Sequence, residues 1–157
     1  FVSRLCDVSG RYDFDYSKAV IEITEDSFVR DDQAIRNNIK ECRAAGFKVA
    51  LDDIGSGYSS MQDLYRYIVD YVKIDREIVR NSTEERGQMF LKGLVKFAHS
   101  MDLEVLCEGV ETEQQNKAVL DAGCDFIQGY YYSRMLPKRE AGRFLYEKLK
   151  KQREIKC

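Results

Sequence analysis

Val49-Ala-Leu-Asp52-Asp53-Ile-Gly55-Ser56-Gly57-Tyr-Ser-Ser60 passes within a few residues from an apolar, strand-forming run to two adjacent carboxylates and then to a glycine-punctuated loop. A buried parallel strand delivers acidic side chains to an exposed rim in this way. If neighbouring strands repeat the arrangement, their polar residues gather at one common end.

Working outward, the pattern does repeat. Upstream, Ala19 to Thr24 is rich in β-branched residues and ends among acids, Glu22 and Glu25. Between these strands, Ile35, Ile39 and Cys42 have helical spacing, with Asp31 or Asp32 as N-cap and Gly46 as terminator. Downstream, the spacing predicts a short helix over 60–68 and a third strand, Tyr-Val-Lys-Ile-Asp, over 71–75. A helix from about Glu84 to Met101 follows, with Phe90, Leu94, Phe97, Ala98 and Met101 on one face and a capping box in Ser82 and Glu85. A fourth strand, Glu104 to Glu108, leads to a helix capped by Thr112 with Gln115 and stopped at Gly123. A fifth strand, Phe126 to Tyr131, precedes a helix that starts near Pro137 and carries Phe144, Leu145 and Leu149. Ahead of all this, Phe1, Val2, Leu5 and Val8 share a helical face.

Alternating strands and helices with short loops call for parallel βαβ units. The chain has no G-x-G-x-x-G fingerprint and no phosphate-binding G-x-x-x-x-G-K loop, which disfavours a nucleotide-binding open sheet. Strand parity places Glu22 with Val20, Asp52 with Ala50, Lys73 with Asp75, Glu108 with Leu106 and Gln128 with Phe126. Five strands with a polar residue just before the loop fit the C-terminal mouth of a partial TIM-type (β/α) barrel of about five βα units. The expected organisation is the end of a helix and a connection over 1–18, core units over 19–137 and a terminal helix over 138–157.

A lone acid at a strand end is ordinarily a cap or a solvated side chain. Lys73, between Val72 and Ile74, is harder to dismiss, because a buried ammonium requires an anionic partner. His99, the single histidine, lies late in a helix and reads as structural. Cys107 has no basic neighbour in sequence and reads as a small core residue. With no triad available, hydrolysis here would depend on metal ions. Glu22, Asp52, Asp53 and Glu108 form a hard-oxygen set suited to Mg²⁺ or Mn²⁺, and two such ions could serve a phosphodiester displacement.

Composition narrows the classes. The 157 residues are 44% apolar and 33% charged with a net charge of −2, which suits one soluble domain and supplies no basic field for DNA. The chain contains no membrane-spanning run and no signal pattern. Its five cysteines, Cys6, Cys42, Cys107, Cys124 and Cys157, show no metal-knuckle or redox-motif spacing, so free thiols in a cytoplasmic setting are expected.

Five motifs in order give the chain a specific resemblance: Glu22-Ile-Thr-Glu25, Asp52 through Ser60, Val72-Lys-Ile-Asp75, Cys107-Glu-Gly-Val-Glu-Thr-Glu113, and Gly123-Cys-Asp-Phe-Ile-Gln-Gly-Tyr130. Together they resemble the EAL domain family of cyclic-di-GMP phosphodiesterases. That resemblance implies hydrolysis of cyclic-di-GMP to the linear dinucleotide with two Mg²⁺ or Mn²⁺ ions. It implies metal ligation by Glu22, Asp52, Asp53 and Glu108, roles for Lys73 and Gln128 around the water and metals, and support of the site by Glu111. It implies that Glu25 tethers the loop carrying Gly55, Ser56 and Gly57, with Asp75 supporting the site from behind. It further implies a homodimer, and fusion or coupling to sensory or diguanylate cyclase domains.

The Glu-Ala-Leu strand that names the family, and the family's metal-binding asparagine upstream of the position of Glu22, do not occur in the chain, while Ile54 and Cys107 replace a usual phenylalanine and alanine. A start at Phe1, and five units where a whole barrel takes roughly 250 residues, lead us to expect part of a longer, N-terminally truncated domain with little turnover alone. The alternative is a catalytically inactive EAL-like module for nucleotide binding, dimerisation or protein interaction.

Overall fold

A computed structural model describes residues 1–24, 32–55 and 61–154 of the chain. Helix α1 (Val2–Gly10) and a 3₁₀ turn (Tyr16–Lys18) lead into β1 (Val20–Ile23). Then come α2 (Asp32–Ala44), β2 (Lys48–Ile54), α3 (Met61–Arg66), β3 (Tyr71–Ile74), α4 (Arg76–Asn81) and α5 (Glu85–His99). The chain continues through β4 (Glu104–Cys107), α6 (Glu113–Ala122) and β5 (Phe126–Ile127) to α7 (Lys138–Glu154). The strands form one parallel sheet in sequence order, β1-β2-β3-β4-β5, as successive βα units winding in one direction require.

Strand parity separates two faces. Val49 and Leu51 of β2, Val72 and Ile74 of β3, and Val105 and Cys107 of β4 lie beneath helices and are fully buried. Ile39 and Cys42 of α2, Leu91, Leu94, Val95 and Ala98 of α5, and Val119 of α6 join them in one continuous core. Each large aliphatic side chain hidden there contributes about 1.5–3 kcal/mol relative to exposure. The opposite face carries Val20, Glu22, Tyr71, Lys73, Leu106 and Phe126 around a shallow hollow of about 180 Å³. Val20 and Phe126 remain 45% and 43% exposed, so the described residues cover this inner face only in part.

Three helices end alike. Gly46, Asp102 and Gly123 adopt left-handed backbone after α2, α5 and α6. In each case the next amide reaches back to the helix, Phe47 to Cys42, Leu103 to Ala98 and Cys124 to Val119. A second repeated device follows. Asp70, just before β3, accepts the Val49 amide at 3.0 Å and pairs with Lys48 at 3.2 Å and with Arg43 of α2 at 3.3 Å. Asp125, just before β5, accepts the Val105 amide at 2.7 Å and bonds His99 of α5 at 2.8 Å. His99 is therefore structural, as its position in the sequence suggests.

Burial would raise both carboxyls, but the amide and the basic partners outweigh it and hold each below the ordinary carboxylate range. A depressed pKa confers stability that is present above the unfolded value of about 3.9 and is lost as pH falls through the folded value. We expect Asp70→Ala to cost about 2 kcal/mol at neutral pH, because an amide and two cations lose their acceptor. In urea unfolding the variant should also lose less stability than the parent between pH 5 and pH 3; an equal acid loss would remove Asp70 from this role.

The structure corrects several expectations. Ser82 does not cap α5; it is buried, and its hydroxyl donates to the Val79 carbonyl at 2.7 Å, while Glu84 stands at the N-cap without a side-chain bond. The buried face of α5 is Leu91, Leu94, Val95 and Ala98, whereas Phe90 and Phe97 are 56% and 39% exposed. The six-residue α4, capped by Asp75, occupies a stretch in which no element was expected. Strand β5 stops at Ile127, since the chain next turns to bring Gly129 against the backbone of Val110, with no room for a Cβ. The Thr112–Gln115 capping box and the Gly123 terminator are present as expected.

Candidate metal centre

The site forms at the C-terminal ends of β1 to β4. Lys73 is 7% exposed, and its ammonium contacts Asp52 at 2.8 Å, Glu108 at 2.8 Å and Glu22 at 3.0 Å. Each of these acids is the late, inward-facing residue of its strand, which explains why side chains so distant in sequence meet. Burial opposes the lysine charge, but the hydrogen bonds its ammonium donates to Asp52, Glu108 and Glu22 outweigh it and lift Lys73 above the ordinary lysine range.

Strict alternation would turn Asp53 away from Asp52. Instead, the register between β2 and β3 slips: Leu51 faces Val72, yet Ile54 faces Ile74, so β2 carries one extra residue. Asp53 takes left-handed backbone with φ +55, and its amide bonds the Asp52 carboxylate at 3.1 Å. This bulge re-aims the second carboxylate, a recurrent use of bulges beside active sites. Asp52, Asp53 and Glu108 each thereby offer an oxygen within 4.8 Å of the others. Burial, then the charges of Asp52 and Asp75, raise the Asp53 carboxyl, with Lys73 opposing. Such crowding of acids favours a bound cation, and all-oxygen donors fit a hard divalent ion.

Glu22 touches Lys73 but lies outside this three-carboxylate group. Gln128 and Glu111 border an adjoining cleft of about 460 Å³ with Asp53 and Glu108. The Gln128 amide donates to the Cys107 carbonyl at 2.9 Å, and the Glu111 amide donates to the Gln115 side chain at 2.8 Å, so both loops are fixed by backbone bonds. Asp75 borders the cleft too, while its carboxylate accepts the Glu77 amide at 2.7 Å as the α4 cap. Gly55, with φ +100, sits over Ile78, where a Cβ would collide. Glu25, Ser56 and Gly57 lie outside the described residues.

Arg76 and Tyr130, which the sequence reading does not single out, complete the cleft. The available signal is positional, since Arg76 directly follows Val72-Lys-Ile-Asp75 and Tyr130 closes the motif that begins at Gly123. Gly109, with φ +68, lets the loop after Glu108 press against the Arg76 side chain. Gly109→Ala should shift this loop and lower stability by about 1–3 kcal/mol, checked by thermal unfolding; an unchanged midpoint would show that the contact relaxes freely.

Parallel strands that gather carboxylates around a lysine at their C-terminal ends define a domain of (β/α)-barrel type with an acidic cluster that could hold a metal ion. Comparison makes this specific: the chain belongs to the EAL domain family, whose sequence model matches residues 1–135. It is 34% identical over 138 residues to an uncharacterized protein of Mycobacterium tuberculosis, covering 87% of this chain and 22% of that protein. It is 30% identical over 124 residues to the cyclic di-GMP phosphodiesterase RocR of Pseudomonas aeruginosa, covering 78% of this chain and 32% of that protein. The EAL domain of Mycobacterium smegmatis DcpA superimposes with a TM-score of 0.87 at 28% identity, over 93% of this chain and 66% of that one. Klebsiella pneumoniae BlrP1, in a manganese and cyclic di-GMP complex, gives 0.78 at 30% identity, over 85% of this chain and 34% of that one. The chain thus spans about a fifth to a third of the curated relatives named here.

Proposed function

We propose that this chain supplies the metal-binding half of a cyclic-di-GMP phosphodiesterase that opens the cyclic dinucleotide to its linear form. The observation that carries the reading is the Asp52, Asp53 and Glu108 group beside Lys73 in a chain of the EAL family. RocR carries the name of this activity, and BlrP1 has been solved with manganese and the dinucleotide. Asp52, Asp53 and Glu108 would hold divalent ions of the Mg²⁺ or Mn²⁺ kind, with Glu22 at the edge of the set. Two such ions, when bound, activate a water and offset charge on the phosphodiester.

The chain's own residues then have separable tasks. Lys73 holds three carboxylates in place through its ammonium and adds positive charge beside the phosphate position. Gln128 and Glu111 line the approach for water and substrate. Arg76 offers a guanidinium to a phosphate, and the half-exposed ring of Tyr130 offers a stacking face to a base. The free thiols support a reducing, cytoplasmic setting.

The test combines Mn²⁺ titration with chromatography of cyclic-di-GMP incubated with the full-length protein and Mn²⁺. We expect metal binding and a linear dinucleotide product. Metal binding without dinucleotide binding or product would remove the phosphodiesterase reading.

A further inference from the structure

Cys107 and Cys124 stand 17 positions apart in the chain, yet their sulfurs lie 2.7 Å from each other. Rigid backbone holds both. Cys107 ends β4 between its ladders to Ile74 of β3 and Ile127 of β5. The Cys124 amide bonds the Val119 carbonyl at 3.2 Å, and the neighbouring Asp125 is fixed to Val105 through both its amide and its carboxylate. Cys107 is fully buried, whereas Cys124 is partly open to solvent. Cys6 and Cys42, the other described cysteines, have no such short sulfur contact.

We propose that Cys107 and Cys124 form a thiol pair that closes reversibly into an intramolecular disulfide by exchange with a low-molecular-weight disulfide. A disulfide bond measures about 2.05 Å, so the sulfurs need to approach by only about 0.65 Å. Accessibility sets the order of events. The Cys124 thiolate attacks one sulfur of the small disulfide, expels one small thiolate and forms a mixed disulfide. The Cys107 sulfur, giving up its proton, then attacks the Cys124 sulfur and expels the second small thiol. Two protein thiols are oxidised by two electrons, the small disulfide is reduced to two thiols, and those thiols take up the two protons. The bond would join the end of β4, one residue before Glu108, to the turn that starts β5.

Incubating the full chain with oxidised glutathione, under native conditions and in urea, tests this by intact mass and peptide mapping. We expect native conditions to yield a product two hydrogens lighter with a Cys107–Cys124 cross-linked peptide, reversed by dithiothreitol, and to yield it faster than urea does. Cys107→Ala should instead stop at a stable glutathione adduct on Cys124. The cross-linked chain should unfold roughly 5–10 °C higher. A cross-link between other cysteines, Cys107 still free after Cys124 is modified, equal rates in urea, or a lowered midpoint would each overturn the proposal.

Discussion

Replacing Lys73 by methionine is expected to be the most damaging single change in the described chain. The methionine fills similar space but leaves Glu22, Asp52 and Glu108 without the ammonium that all three contact. Breaking a buried ion pair from one side costs several kcal/mol, and Glu22 is half in water, so we expect a loss of about 2–4 kcal/mol. A divalent ion would then supply the positive charge that these three acids lose with the ammonium. Mn²⁺ should therefore raise the unfolding midpoint of Lys73→Met more than that of the parent, and in the full-length protein the proposed hydrolysis should fall about 100-fold or further. Urea unfolding with and without Mn²⁺ distinguishes this from a lysine that merely fills space, for which metal would add equally to both proteins. The sign of the pH dependence is also fixed. With its pKa raised, Lys73 stabilises fully below about pH 10.4 and loses that contribution only as pH climbs through the higher folded value.

Asp53→Asn should separate stability from metal binding. Asparagine tolerates left-handed backbone, so the φ of +55 and the bulge survive the exchange. Burial and the charges of Asp52 and Asp75 already disfavour the Asp53 charge, so its removal should leave the metal-free chain as stable as before or more so. Affinity for Mn²⁺ should meanwhile fall about 10-fold or more, since one of three clustered carboxylates becomes a neutral donor. Calorimetric metal titration beside thermal unfolding reads both effects. A clear loss of metal-free stability would mean that Asp53 serves the fold rather than the cation site. Asp53→Ala is a useful contrast, because it adds backbone strain of about 1 kcal/mol to the loss of charge.

Much of this was legible in the sequence, for physical reasons that differ by residue. Period-two strands with polar residues before their loops announced the sheet and brought Glu22, Asp52, Lys73 and Glu108 to one end. Thr112 with Gln115, and Gly123, announced the ends of α6 because caps are local chemistry. The bulge at Asp53 was not legible, since parity assigns it to the wrong face and only pairing with β3 reveals the slip. Ser82 misled because it closes α4, where its amide and hydroxyl both donate to the Val79 carbonyl, while α5 starts only at Glu85 with Glu84 at the N-cap. Helix α4 is too short to show a period, and the Cys107–Cys124 contact joins a strand end to a helix end across 17 positions.

Asp70 and Asp125 sit at the ends of the strands remote from Lys73, each binding its strand to the preceding strand and to the end of the helix that leads into that preceding strand, α2 or α5. The sheet is therefore fastened twice, by salt-bridged aspartates at its floor and by the lysine-centred acids at its rim. Amides of the floor, Val49 and Val105 among them, should be among the slowest to exchange with solvent, since a carboxylate of the next strand's start accepts each of them. Half-exposed cleft residues that belong to neither fastening, Tyr130 among them, can change at less cost to the fold.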